Sequence, residues 1–287
     1  MNKVTTVLLK SFIVNTVLVF IKFIIGFIGK SNALLADGVH SLSDLATDVV
    51  AMVGSKLSDK PADKEHPYGH GRLEYVTSII IGIVILVLGL ALVFNSGSNE
   101  IPSIIVVYAS IVTIVVKFFI AKYLCVMGGK MNNQILISSG KESSMDVISS
   151  IVVLISSLLI QFSDKISIFK YTDMISTILI GLFIIKTGIS ILRLNINLIL
   201  GEVEADENYL SDVKNIIKSV SGVKLIDNID IIKFGSYNEA KIQISVNEDT
   251  SLIDAHSIAH QVEDKLKSKS ELKIKYVIIH INPIKSS

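Results

Sequence analysis

The 287-residue chain has 50% hydrophobic and only 18% charged residues, with a mean hydropathy of +0.60, where a soluble domain usually carries about a quarter charged residues; an ordinary soluble enzyme and a disordered chain are both excluded. A net charge of +1 argues against a nucleic-acid partner, whose phosphates require a basic surface. One cysteine, Cys125, excludes a disulfide framework and a thiolate metal cluster; it sits in an apolar stretch as a core or lipid-facing residue.

The charge is unevenly divided. Residues 1–201 hold 28 Asp, Glu, Lys and Arg, and the 86 residues from 202 to 287 hold the other 25. This predicts a membrane domain over 1–200 and a cytoplasmic domain over 201–287. A bilayer core needs about 20 mostly apolar residues per helix, and six stretches qualify: roughly 7–29, 33–57, 73–95, 101–127, 133–161 and 172–194. The first runs on from a short N-terminus without a small-residue cleavage site, so it is expected to be a retained helix. With a cytoplasmic N-terminus, Lys3, Lys10, Lys56, Lys60, Lys64, Arg72, Lys122, Lys130 and Arg193 fall inside, and Lys30, Lys165 and Lys170 outside. That excess predicts an even helix number and both termini in the cytoplasm.

After Arg193 the pattern changes. Asp206 is placed to cap a helix over Leu210–Val220, with Gly222 just past its end. Ile229–Phe234 and Ala240–Val246 read as strands around Gly235–Asn238, a second helix runs from Thr250 or Ser251 to Leu266, and Lys273–Ile281 is a third strand. The order αββαβ predicts a small two-layer α+β domain of ferredoxin-like type.

Two spans carry charge. Asp37, His40, Asp44 and Asp48 are spaced three, four and four apart, and so lie within about 80° of arc on one helix face. In the fifth span, Glu142 and Asp146 are one turn apart. Each ionisable group would cost a few kcal/mol facing lipid at mid-bilayer, so both sets must face protein or water. An imidazole with carboxylates from two helices is a complete set for one divalent cation, nitrogen suiting Zn, Fe or Co and oxygen suiting Mn. Asp37 and Asp48, the outer members, are expected along an access path or in helix packing. In the loop Lys60–Arg72, Asp63, His66 and His70 have common ligand spacing, and Gly69 and Gly71 allow the chain to wrap an ion closely. His256 and His260 are one turn apart on the second soluble helix, and His280 ends the last strand, where it and His256 can approach. No phosphate-binding loop, nucleophile elbow or His-Glu-x-x-His is present, so the chain is not expected to be an enzyme and needs no organic cofactor.

Ala33-Leu-Leu-Ala-Asp-Gly-Val-His-Ser-Leu-Ser-Asp44, followed by Lys60–Glu74 with Pro67-Tyr-Gly-His-Gly71, resembles the cation diffusion facilitator family of divalent metal/proton antiporters, and the likeness extends over essentially the whole chain. The resemblance implies six membrane helices, a cytoplasmic αββαβ domain, a homodimer and alternating access. It places a transport site on His40, Asp44, Glu142 and Asp146, a loop site on Asp63, His66 and His70, and cytoplasmic ligands on His256 and His280, with weaker matches at Asp227, Gln243 and Asn282. It also implies a charge pair between Arg72 and Glu202. Three positions depart from the pattern: Glu142 stands where zinc transporters usually carry His, Gln243 where some members carry His, and Asn282 where some carry an acid. The resulting expectation is proton-coupled efflux of Zn, Mn, Fe, Co or Cd from the cytoplasm across a bacterial cell membrane. A passive metal channel or uptake carrier would use the same site, and a membrane-anchored metal sensor would need no complete mid-membrane site.

Overall fold

The structure is a computed structural model that describes residues 3–58, 60–97, 101–131, 133–204 and 206–284. Six long helices come first: α1 (Lys3–Ile28), α2 (Asn32–Ser58), α3 (Leu73–Phe94), α4 (Ile105–Lys130), α5 (Gln134–Ile160) and α6 (Thr172–Ile199). All six expected spans are present, with ends shifted by a few residues. Five are long and apolar enough to cross a membrane by composition alone; α2 is the exception, because its polar residues lower its mean. The side chains of Lys3 and Lys56, counted above on the inner side, lie outside the described residues.

The chain forms two compact units. One comprises the residues up to Val49 together with Ile80–Ile191. Its outward faces are apolar, with Phe20, Ile24, Phe27, Phe118, Phe119 and Phe183 all exposed, a surface suited to a lipid environment. Inside, α4 and α5 pack closely through glycine. A Cβ on Gly140 would lie 2.5 Å from the Cys125 sulfur, and one on Gly128 would lie 2.7 Å from Ile137. Small residues at such contacts let helix backbones approach in a bilayer, and here they bring the polar stripe of α5 (Ser143, Asp146, Ser150) against α4. The start of α2 is fixed by a residue from α6. The buried Asp173 carboxylate accepts from the Ser31 hydroxyl at 2.7 Å and from the backbone N–H groups of Asn32 at 3.0 Å and Ala33 at 3.3 Å, satisfying donors that a helix N-terminus leaves free.

The second unit comprises Val50–Ile79 and Leu192 onward. Its soluble part runs α7 (Glu207–Lys218), β1 (Leu225–Phe234), β2 (Tyr237–Asn247), α8 (Leu252–Ser268) and β3 (Ile274–Ile284), the expected αββαβ order. Asp206 caps α7, accepting from Asn208 N at 2.8 Å, and Ser251 caps α8, accepting from Asp254 N at 3.1 Å. The sheet order is β1-β2-β3, with β1 and β2 antiparallel and β2 and β3 parallel; α8 is the crossover that a parallel pair requires. Ile242, Ile244 and Val246 point into a core completed by Val213 and Ile217 of α7 and by Ile258, Val262 and Leu266 of α8. β1 starts four residues earlier than the sequence reading placed it. The register slips between Ile226 and Asn228, and this irregularity hides the alternation of the strand's first residues.

Candidate metal-transport site

The structure gathers His40, Asp44 and Asp146, with one ligand atom of each within 4.8 Å of the others. His40 and Asp44 sit one turn apart on α2, and Asp146 faces them from α5. His40 Nε2 lies 3.5 Å from Asp146 Oδ1, and its ring meets Phe183 of α6 edge-on at 5.2 Å. His40 Nδ1 and Asp44 Oδ2 are buried without a hydrogen-bond partner among the described residues and lie 4.0 Å apart. That separation is about twice a metal–ligand bond of roughly 2.0–2.2 Å. Buried polar atoms are normally partnered, so two orphaned ligand atoms facing one another suit a cation between them.

Glu142 does not join this group. It is an exposed residue one turn before Asp146 and lies within electrostatic range of Asp44, Asp48 and Asp146. Asp48 is likewise exposed, one turn beyond Asp44. The two residues thus form an outer acidic layer beside His40, Asp44 and Asp146. The other partner of Asp146 is one that the sequence reading missed: Lys117 of α4, whose ammonium donates to Asp146 Oδ2.

Of the two expectations for Asp37, an access path or helix packing, the structure supports helix packing. Both Asp37 and Lys22 of α1 have fully buried side chains, and they pair at 2.6 Å. Lys22 also donates to Ser41 at 2.9 Å and Ser150 at 3.3 Å, while Asp37 accepts from Ser149 at 2.7 Å and Ser150 at 2.8 Å. Every strong partner that a carboxylate needs is supplied by protein, so Asp37 ties α1, α2 and α5 together and presents nothing to a passing ion.

In the loop, Asp63, His66 and His70 also converge. Asp63 Oδ1 accepts from the His66 backbone N–H at 2.7 Å and the Glu65 N–H at 3.0 Å; the His66 bond chiefly holds the carboxyl below its ordinary range. His70 Nδ1 lies 3.2 Å from the Pro61 carbonyl oxygen. The other ring nitrogen, His70 Nε2, lies 3.5 Å from Asp63 Oδ2. The glycines also seat the loop against the soluble domain's β1–β2 turn. Gly69 has φ +79°, and a Cβ on Gly71 would lie 2.1 Å from the Phe234 carbonyl oxygen. The loop therefore fits closely against the β1–β2 turn. Tyr237 donates to the Tyr68 carbonyl at 2.6 Å and accepts from Gly71 N at 3.2 Å, and Gly235 N donates to Tyr75 at 2.6 Å.

Two expected pairings are not made within the single chain, among the described residues. Arg72 and Glu202 form no ion pair among the described residues. The Arg72 guanidinium lies over the Phe234 ring at 4.2 Å, Glu202 is exposed, and it is Glu204 that finds a cation, Lys233 at 3.1 Å. His256 and His280 do not converge either. His256 lies two residues, about 200°, from the buried Ile258, and so points away from the sheet; it meets His260 at 3.1 Å between Nε2 atoms. His280 is exposed on the opposite sheet face, in register with Gln243. On that face Asp227 is satisfied by Asn282 at 3.0 Å and Ser245 at 2.8 Å, and the Asn282 amide chiefly lowers its carboxyl's pKa.

Comparison with known proteins shows the family. The family model described as "Cation efflux transmembrane domain" matches residues 8–200. The chain belongs to the cation efflux family. A second model, "Cation efflux protein, cytoplasmic domain", matches residues 205–284. This cation efflux protein is 26% identical over 284 residues to the manganese efflux system protein MneP of Bacillus subtilis, covering 96% of this chain and 95% of that one. It is 28% identical to MneS of the same organism, covering 93% and 91%. It is 30% identical to the uncharacterized transporter MJ0449 of Methanocaldococcus jannaschii, covering 98% and 99%. A solved MamM CTD aligns with 28% of this chain and 95% of its own length at 18% identity and a TM-score of 0.27, too slight a likeness to carry an argument. Membership makes the protein an integral membrane transporter of metal cations, working as an efflux system and not as an enzyme.

Proposed function

We propose that the protein exports divalent transition-metal ions, manganese foremost, in exchange for protons, as a homodimer with both termini in the cytoplasm of a bacterial cell. The observation that carries this reading is the pair of orphaned, buried ligand atoms on His40 and Asp44 beside Asp146. Cytosolic metal would pass Asp48 and Glu142, bind His40, Asp44 and Asp146, and draw Glu142 in from one turn away. Ligands must be deprotonated to hold a metal, so binding releases protons and protonation on the far side releases the ion. Alternating access lets one site do both. Manganese is favoured by the oxygen-rich donor set, since carboxylates suit it and imidazole suits Zn. It is also the metal named in MneP and MneS. The loop site, anchored through Tyr237, is suited to tuning rather than carrying, because it lies outside the membrane helices. The cytoplasmic domain, with Gln243 and Asn282 in place of stronger ligands, is suited to dimer contacts.

Uptake of Mn, Fe, Co, Zn and Cd by proteoliposomes, measured in parallel, tests the metal. Manganese is expected to lead, and Glu142→His is expected to raise Zn relative to Mn by about tenfold, a preference worth about 1.4 kcal/mol. An unchanged profile in Glu142→His would place Glu142 outside the coordination sphere, and zinc leading in the unaltered protein would overturn the manganese assignment.

A further inference from the structure

Two lysines lie deep among the membrane helices, and they are differently placed. Lys22 is committed to Asp37 and two serines, all outside the transport site. Lys117, 2% exposed, donates to Asp146, a carboxylate of the site itself. On the buried stripe of α4 beside it, the Ser110 and Thr113 hydroxyls donate to carbonyls of their own helix at 2.9 Å. Both Asp146 oxygens are thus engaged, one by the ammonium and one facing His40 Nε2, while Asp44 Oδ2 has no partner.

We infer that Lys117 is a tethered cation that competes with the transported ion for Asp146 and so determines which ions the site accepts. This rests on the reading that His40, Asp44 and Asp146 bind the metal. Lys117 and an incoming ion compete for the same carboxyl groups, Asp146 with Asp44 beside it; a monovalent ion brings no more charge than the ammonium it would replace, and a divalent ion brings twice as much. A tethered group acts at high effective concentration, so a potassium or sodium ion, with no greater charge than the ammonium, does not displace it. A divalent ion does, because its attraction to the remaining carboxylates is twice as large. On displacement, Asp146 Oδ2 turns from accepting a hydrogen bond to ligating metal, and Lys117 swings away.

Mn²⁺ binding to the full-length protein in detergent, by isothermal titration calorimetry at one pH and ionic strength, tests this. Lys117→Met is expected to tighten Mn²⁺ binding by about tenfold or more, from loss of the repulsion and the competitor, and to make binding sensitive to added KCl at constant ionic strength. On an Asp146→Asn background, where there is no carboxylate left to compete for, the same change is expected to bring a much smaller gain, from the lost repulsion alone. Equal or weaker binding in Lys117→Met, with KCl still without effect, would overturn the inference and leave Lys117 as a support for Asp146. The reading beneath it fails separately, if Asp44→Asn binds Mn²⁺ as tightly as the unaltered protein. Should Lys117→Met not fold, the unaltered protein answers. Mn²⁺ is expected to speed labelling of Lys117 by a membrane-permeant acylating reagent severalfold, read by peptide mass spectrometry. Labelling that is unchanged or slower would contradict displacement.

Discussion

Asp44→Asn is expected to reduce metal efflux by at least about a hundredfold while the protein stays folded and monodisperse. Mutating even an outer partner of a metal ligand typically costs 10–100-fold in affinity or activity, so loss of a charged ligand from a small site should exceed that. Folding should be spared because asparagine keeps the size of aspartate, Asp44 Oδ2 is without a hydrogen-bond partner among the described residues, and the side-chain bond of Asp44 to Asp146 is one that an amide can also make. Asp146→Asn is expected to be equally inactive but less stable. It leaves the buried Lys117 ammonium without its carboxylate, and removing one partner of a buried pair costs about 3–5 kcal/mol. Adding Lys117→Met to Asp146→Asn should recover the stability and not the transport. Flux by proteoliposomes, read beside thermal unfolding in detergent, separates these outcomes. Near-normal flux in Asp44→Asn would place the transport site elsewhere.

The second large effect is on stability. Asp37→Ala is expected to destabilise the membrane domain by about 3–5 kcal/mol, because it strands the Lys22 ammonium where no water reaches it. Two serines that donate to Asp37 lose their acceptor at the same time. Replacing both members, Lys22→Met with Asp37→Leu, should recover most of the loss, since buried pairs exchanged for apolar residues of similar volume are often neutral or better. The unfolding midpoint of each variant in detergent checks this. A single Asp37→Ala as stable as the unaltered protein would mean that the pair does not hold α1 and α2 to α5.

The strongest signals in the sequence were periodic ones. Asp44 and His40 fall at helical spacing in an otherwise apolar span, and Ile242, Ile244 and Val246 alternate as a half-buried strand must; both patterns depend only on near neighbours along the chain. What escaped depends on distant ones. Lys22 and Asp37 are 15 residues apart, and Lys117 and Asp146 are 29 apart, on different helices, so no spacing rule joins them. The signal was nonetheless present: a lysine within an apolar span must find an acid or a cavity, and counting Lys22 and Lys117 against Asp37 and Asp146 would have shown charges that cancel. Asp173 escaped for the same reason, capping from α6 a helix that begins at Asn32. The expected approach of His256 to His280 failed on facing. Residues two apart on α8 point in opposite directions, and the buried Ile258 fixes which of them meets the sheet.

The central claim, proton-coupled export through the His40–Asp44–Asp146 site, is tested most directly by Mn²⁺ flux into proteoliposomes under an imposed pH gradient with no Mn²⁺ concentration gradient. With an acidic lumen and the cytoplasmic side of the protein facing out, Mn²⁺ is expected to accumulate inside while protons leave. Both movements should stop when an ionophore collapses the pH gradient, and both should be absent in Asp44→Asn. Mn²⁺ movement that ignores the pH gradient and follows only its own concentration would contradict exchange and make the protein a passive metal pathway.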